Sequence, residues 1–243
     1  MTADQWTQAV RHQLGLGRLL PLGGPGDGAW VAEGAAAAVR ARAAANEVPE
    51  VRLGTLRITL ADPEDVHEPV VPPPPSALPP GALRVTADFA ATATDPLPTT
   101  AARLRLTLAT AATDRLGLTV SEVDLRVTDL LAAEAADSQA TAVRAPQPPP
   151  ARETTDPDES LATTAALSVP GVTRLTGSLG GLGRAVHIEQ RTTDTSLSHR
   201  HVRVEAAVGR DYRAVDVARQ VRTAVRTALK DHPTVAVLVT AVD

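Results

Sequence analysis

The chain has 243 residues, 24 basic against 28 acidic side chains, a formal net charge of −4 and no cysteine. Its length suits two cores of roughly 100 residues each, and the missing cysteine excludes disulfides, thiolate zinc sites and cysteine nucleophiles. The slightly negative charge gives no global attraction to nucleic acid or anionic lipid, so any such binding has to be local.

Trp6, Trp30, Phe89 and Tyr212 are the only aromatic residues, which leaves no stacking platform of the kind single-stranded nucleic acid uses. Lys230 is the sole lysine among many arginines, a bias that a GC-rich genome produces without functional cause. No run of about 18 apolar residues occurs, so nothing spans a bilayer. Met1 to Gly17 carries Asp4, Gln5, Gln8 and Gln13 where a signal peptide needs a basic start and an apolar stretch. A cytoplasmic protein is expected, with any membrane association made through a partner or a surface patch at the inner face.

Residues 1–28 read as an accessory N-terminal arm: a short helix broken by Gly15 and Gly17, then a Pro/Gly-rich stretch, Pro21 to Gly28, unsuited to regular structure. A first domain is predicted over 29–133. The alanine content of Trp30 to Asn46 favours helix, which Pro49 ends by disfavouring the helical region for Val48. Val51, Leu53, Leu56, Ile58 and Leu60 suggest a strand with a register shift near Gly54. Seven prolines between Glu68 and Gly81 predict a polyproline-like insertion over 68–81. Leu83 to Phe89 alternates as a strand, Thr99 to Arg115 is a helix stopped by Gly117, and Val120, Val123, Leu125 and Val127 begin a strand with one wet side.

The acidic, proline-rich stretch 134–156 reads as a linker, and a second domain follows over 157–243. It opens with a helix near Pro157 to Ser168, passes a glycine-rich turn at Gly177 to Gly183, and pairs strands at Arg184 to Arg191 and His199 to Val208. From Asp211 to Lys230, Ala214, Val217, Ala218, Val221, Val225 and Ala228 line one helix face, opposite Arg219, Arg222, Arg226 and Lys230. His232-Pro233 ends it, and Val235, Val237 and Val239 form a closing strand.

The two halves follow one order. Val48-Pro49-Glu50-Val51 and Val169-Pro170-Gly171-Val172 lie 121 positions apart, each after an alanine-containing helix. The closing strands, with Leu125 and Val127 matched to Val237 and Val239, lie 112 apart, a difference close to the length of the proline stretch. The predicted fold is therefore α+β: two repeated small domains, each an antiparallel sheet with helices packed on one face.

Leu118-Thr119-Val120-Ser121-Glu122-Val123-Asp124-Leu125-Arg126-Val127-Thr128-Asp129, directly after an amphipathic helix, resembles the closing helix and strand of the alkaline-shock (general-stress) protein family. The second half looks like a fuller version of the same unit. The resemblance implies a small α+β domain without catalytic residues, self-association, and attachment to the cytoplasmic face of the envelope through a small membrane-anchor protein. The duplication, the proline insertion and the N-terminal arm depart from that family.

No catalytic constellation emerges. The turn at Gly177 to Gly183 runs from helix to strand, the reverse of a phosphate-cradling loop, and no Gly-Lys-Ser/Thr follows it. His199 and His201 share one face of a strand, with His187 on its neighbour, but Arg200 and Arg203 interleave with them, which favours a surface cluster over a zinc site. Asp156 and Asp158 sit in linker sequence too mobile to hold acid and base in place. No catalytic, cofactor-binding or metal-binding residue is assigned, and a non-enzymatic protein is expected.

Two surfaces are candidates for interaction. The stripe Arg219, Arg222, Arg226, Lys230 could face nucleic acid, anionic lipid or an acidic surface such as Glu122, Asp124, Asp129, Glu134 and Asp137. It is also what the solvent face of any helix shows in an arginine-biased protein. The strand Val235, Val237, Val239 is expected at a sheet edge, where unpaired backbone invites self-association. The leading expectation is a self-assembling or anchor-binding scaffold, with nucleic-acid binding through the basic helix as the alternative.

Overall fold

The computed structural model describes residues 16–132, 145–178, 183–193 and 196–243. In chain order the strands are β1 (Leu19–Leu22), β2 (Ala29–Ala32), β3 (Val51–Leu60), β4 (Leu83–Thr92), β5 (Val120–Leu131), β6 (Val172–Leu175), β7 (Val186–Thr193), β8 (Ser196–Val208) and β9 (Thr234–Val242). The helices are α1 (Glu33–Glu47), α2 (Leu97–Thr110, continued by a π-turn over Ala111–Leu116), α3 (Pro157–Leu167) and α4 (Ala214–Ala228). This is an α+β fold with two sheets.

The larger sheet runs β1-β2-β9-β8-β6, with β7 also on β8; the smaller runs β3-β4-β5. Both are mixed rather than purely antiparallel. β3 and β7 lie antiparallel to β4 and β8, whereas β5 and β9 run parallel to those same strands. The cause is the crossover: α2 and α4 carry the chain back over the sheet, so each following strand starts again from the same end. The two halves share this wiring, but any strand–helix–strand crossover produces it, and it does not establish the repeat.

The N-terminal segment is not an accessory. From Leu19 it is built into the larger sheet, where β1 pairs β2 and β2 pairs β9 in parallel with Val31 opposite Val239. Pro21 is tolerated because β1 lies at the sheet margin. Trp30 to Ala32, expected as the start of a helix, is strand; pairing with β9 outweighs alanine's local preference, and α1 starts only at Glu33. The part of the predicted arm before residue 16 lies outside the described residues.

The proline-rich stretch also belongs to the fold. Leu78 donates its N–H to Leu19 O (2.9 Å) and Val70 to Pro25 O (3.1 Å), so the stretch satisfies the open side of β1. The Trp30 indole Nε1 donates to Leu78 O at 3.2 Å, which lets the ring be almost fully buried.

The largest apolar core crosses both halves. Trp30, Ile58, Leu83 and Leu116 share it with Val204, Val221, Val237 and Val239, while a second cluster of Ala87, Phe89, Leu104 and Leu108 sits between α2 and the small sheet. Two self-contained cores, one per predicted domain, are not what forms. Gly117 shows how tightly the halves meet: at φ +88° it ends the π-turn, and a Cβ there would stand 2.3 Å from Val215 Cγ1 of α4.

Within the predicted linker, residues 134–144 lie outside the described residues, and the remainder is pinned. Ala151 N–H donates to Leu175 O (3.2 Å) and Arg152 N–H to Gly183 O (2.7 Å). Asp156 caps α3, accepting from Asp158 N and Glu159 N at 3.0 Å each. Asp158 pairs with Arg200 at 2.6 Å, so these carboxylates are fixed structural groups rather than solvated linker charge.

Candidate interaction surfaces

α4 buries Ala214, Val217, Ala218, Val221 and Val225 and turns its basic residues outward, the amphipathic division its sequence predicts. The four basic side chains are not equivalent. Arg219 is held by Asp27 through Nε (2.7 Å) and Nη2 (2.9 Å), and also reaches Asp216 at 3.0 Å. Asp27 also accepts from Gly24 N at 2.8 Å, and the Arg219 hydrogen bond holds its carboxyl below the usual carboxylate range.

Arg222 donates to Gly26 O; burial lowers its pKa, and the nearby Arg226 pushes the same way. The anionic contacts of the stripe are therefore Asp216 on α4 itself and Asp27 on the β1–β2 loop. Glu122 and Asp124, expected as its acidic counterpart, pair with Arg84 on the small sheet instead, at 2.6 and 3.7 Å. Glu134 and Asp137 lie outside the described residues.

Arg226 and Lys230 are exposed. Arg222, Thr223, Arg226, Thr227 and His232 line an open groove of about 560 Å³ beside them. His232 adopts φ +46°, a left-handed conformation, and its Nδ1 donates to Arg226 O at 3.1 Å. The imidazole thus meets a carbonyl at the end of the helix, where the dipole favours positive charge.

The other candidate surface does not exist as a surface. Val235, Val237 and Val239 are 1 %, 1 % and 0 % exposed, and β9 is hydrogen-bonded on both sides, to β2 and to β8. The N-terminal hairpin, absent from the expectation, occupies the edge that would have been free.

The histidines fall on the polar face of the β7–β8 pair. His187 stands opposite Arg203, Glu189 opposite His201, and Arg191 opposite His199. The expected surface cluster is in part interior, since His187 is 9 % and His201 4 % exposed. His201 Nδ1 lies 2.8 Å from Thr234 Oγ1; burial, then the Arg191 charge, pulls its pKa down to about 4. Further along β8, beside His187, the fully buried Glu205 accepts from Ser178 N at 2.7 Å and lies 3.9 Å from His187 Nε2. Burial and then Arg203 lower the pKa of His187. Among the described residues no group of three or more His, Asp or Glu side chains is placed to hold a metal ion.

The small sheet has two margins, β3 and β5. β5 is twelve residues long and pairs only with β4 among the described residues. Val123 and Leu125 pack against the α2-side core, but Val127 and Leu130 are 40 % and 58 % exposed. On the opposite, polar face, Arg84–Glu122 (2.6 Å) and Arg126–Asp88 (2.9 Å) form a cross-strand ladder. Arg105 of α2 donates from Nε to Val123 O at 3.1 Å, covering one backbone acceptor. The alternation from Val120 to Val127 announces this strand; its edge position follows from the crossover, which no local pattern encodes.

No helix among the described residues is long and apolar enough to cross a membrane. No protein-family model matches the chain, and no curated protein matches it.

Proposed function

We propose that the chain is a non-catalytic interaction protein. In this reading it is a scaffold of the alkaline-shock type, acting at the envelope or in stress by assembling with itself or by seating a small membrane-anchor partner. The observation that supports the reading is the open β5 edge, which ends in exposed Val127 and Leu130. A strand with one unpaired side and uncovered apolar residues gains hydrogen bonds and burial when another strand docks. The test is light scattering on a size-exclusion column over a wide concentration range. A mass that rises with concentration is expected; a monomer at every concentration, together with no strand-donating partner, removes the reading.

A second reading, nucleic-acid binding at α4, draws on the groove beside Arg226 and Lys230. It has less to work with than the sequence suggests, because Arg219 and Arg222 already serve the β1–β2 loop. Binding that weakens steeply with added salt would favour it; no binding of a duplex even at low salt would count against it.

A further inference from the structure

We propose that β5 pairs with β5 of a second copy of this chain, antiparallel and centred on Leu125, joining two small sheets into one continuous sheet. The inference deepens the self-assembly reading above and rests on it.

The backbone supplies the first step. Val123 O accepts from the Arg105 side chain at 3.1 Å, which we take to mark this carbonyl as turned away from β4. With the strand period of two, Val123, Leu125 and Val127 therefore direct their backbone groups away from β4. A two-fold axis through Leu125 sets Leu125 opposite its own copy and Val123 opposite Val127 of the second copy. The exposed Val127 is then covered by a valine from across the seam, on the same sheet face as α2.

The charges supply the second step. On the polar face the same register sets Asp124 opposite Arg126 of the second copy, twice by symmetry. Both side chains are available, at 62 % and 74 % exposed. Each already touches one opposite charge within its own sheet, Asp124 with Arg84 at 3.7 Å and Arg126 with Asp88 at 2.9 Å. The pairing therefore closes a chain of alternating sign: Arg84, Asp124, then Arg126 and Asp88 of the second copy. Opposite charges facing across strands are favourable and like charges are not. Moving the axis to residue 124 would put Asp124 against itself, and moving it to residue 126 would put Arg126 against itself. Only the register centred on Leu125 avoids a like-charge pair on the axis while matching both charges.

Arg105 has to release Val123 O for the second strand to bond there. It acts as a guard on the edge, set aside when the correct partner arrives and left in place against others.

Single-cysteine variants give a clean test because the chain has no cysteine of its own. Facing residues in an antiparallel hydrogen-bonded pair lie about 5.5 Å apart at Cα, within disulfide range. Leu125→Cys should cross-link to itself under mild oxidation. Val123→Cys and Val127→Cys should not cross-link alone but should do so when mixed. Asp124→Arg and Arg126→Asp should each weaken association by about tenfold, and mixing the two variants should restore it, since every facing pair is then of opposite charge. Light scattering on the same samples separates the two levels. An assembled protein whose Leu125→Cys form fails to cross-link, or whose charge variants are not rescued by mixing, overturns this register and leaves self-assembly intact. A monomer at all concentrations overturns both.

Discussion

Arg40 is the least comfortable side chain in the molecule, and replacing it with methionine should stabilise the protein. It lies on α1 with no measurable exposure. Nε donates to Ala36 O at 3.2 Å, while Nη1 and Nη2 have no partner among the described residues. Burial pulls its pKa well down, to about 10, with the charge of Glu33 opposing. A depression of that size corresponds to roughly 3 kcal/mol against the charged form. Because the native value lies below the unfolded one, the penalty is fully present at neutral pH and is relieved only as the pH rises above about 10 towards the ordinary arginine value. Methionine keeps much of the apolar stem and removes both the charge and the two orphaned nitrogens. Arg40→Met should therefore raise stability by about 1–3 kcal/mol, as replacement of other buried ionic groups has done. The assay is urea unfolding at pH 7, with a higher midpoint and an unchanged slope as the expected result. A loss of 1 kcal/mol or more would refute the reasoning, because it would mean the guanidinium is held by favourable interactions.

Three other perturbations test separate parts of the structure. His201→Asn should flatten the acid side of the stability profile: with a native pKa of about 4 against 6.5, the unfolded state binds a proton that the native state refuses. Wild type should lose about 1–2 kcal/mol between pH 7 and pH 4 through this group, after discounting for partial solvent screening; parallel losses in the variant would sink the assignment. Gly117→Ala combines a left-handed backbone with a Cβ 2.3 Å from Val215 Cγ1. It should cost at least about 2 kcal/mol in chemical denaturation, and a neutral result would mean that α4 is not seated there. Asp27→Ala removes the carboxylate shared by Gly24 N and Arg219. A loss of about 1–2 kcal/mol with faster hydrogen exchange in the β1–β2 loop is expected, and unchanged exchange would argue that the loop is not held by α4.

What the sequence reveals and conceals follows from how far each interaction reaches along the chain. α4 reads off its residues because Val217, Val221 and Val225 repeat at the helical period; α3 is placed near Pro157, although its cap, Asp156, reads as mobile linker. β5 and β8 alternate visibly. Trp30 to Ala32 is misread as helix because its partner, β9, lies some 200 residues away. For the same reason Val235, Val237 and Val239 look like an edge: nothing nearby in the sequence discloses the strand that covers them. The basic stripe is legible as charge, but the capture of Arg219 by Asp27 depends on the N-terminal loop folding back onto α4. The β5 edge is hidden for the opposite reason, since a strand pattern does not say which side of the strand remains unpaired.

The wedging of β9 between β2 and β8 also dictates when the molecule can form. The β1–β2 hairpin and β9 are separated by about 200 residues, and at a synthesis rate of 5–20 residues per second the hairpin waits roughly 10–40 s for that neighbour. During that interval Ala29 to Ala32 presents a bare apolar strand, and the shared core has neither Val237 nor Val239 to close it. The nascent chain is most exposed to mispairing at the β1–β2 hairpin, and closing the larger sheet joins segments made about 200 residues apart rather than adding a finished second half to a finished first.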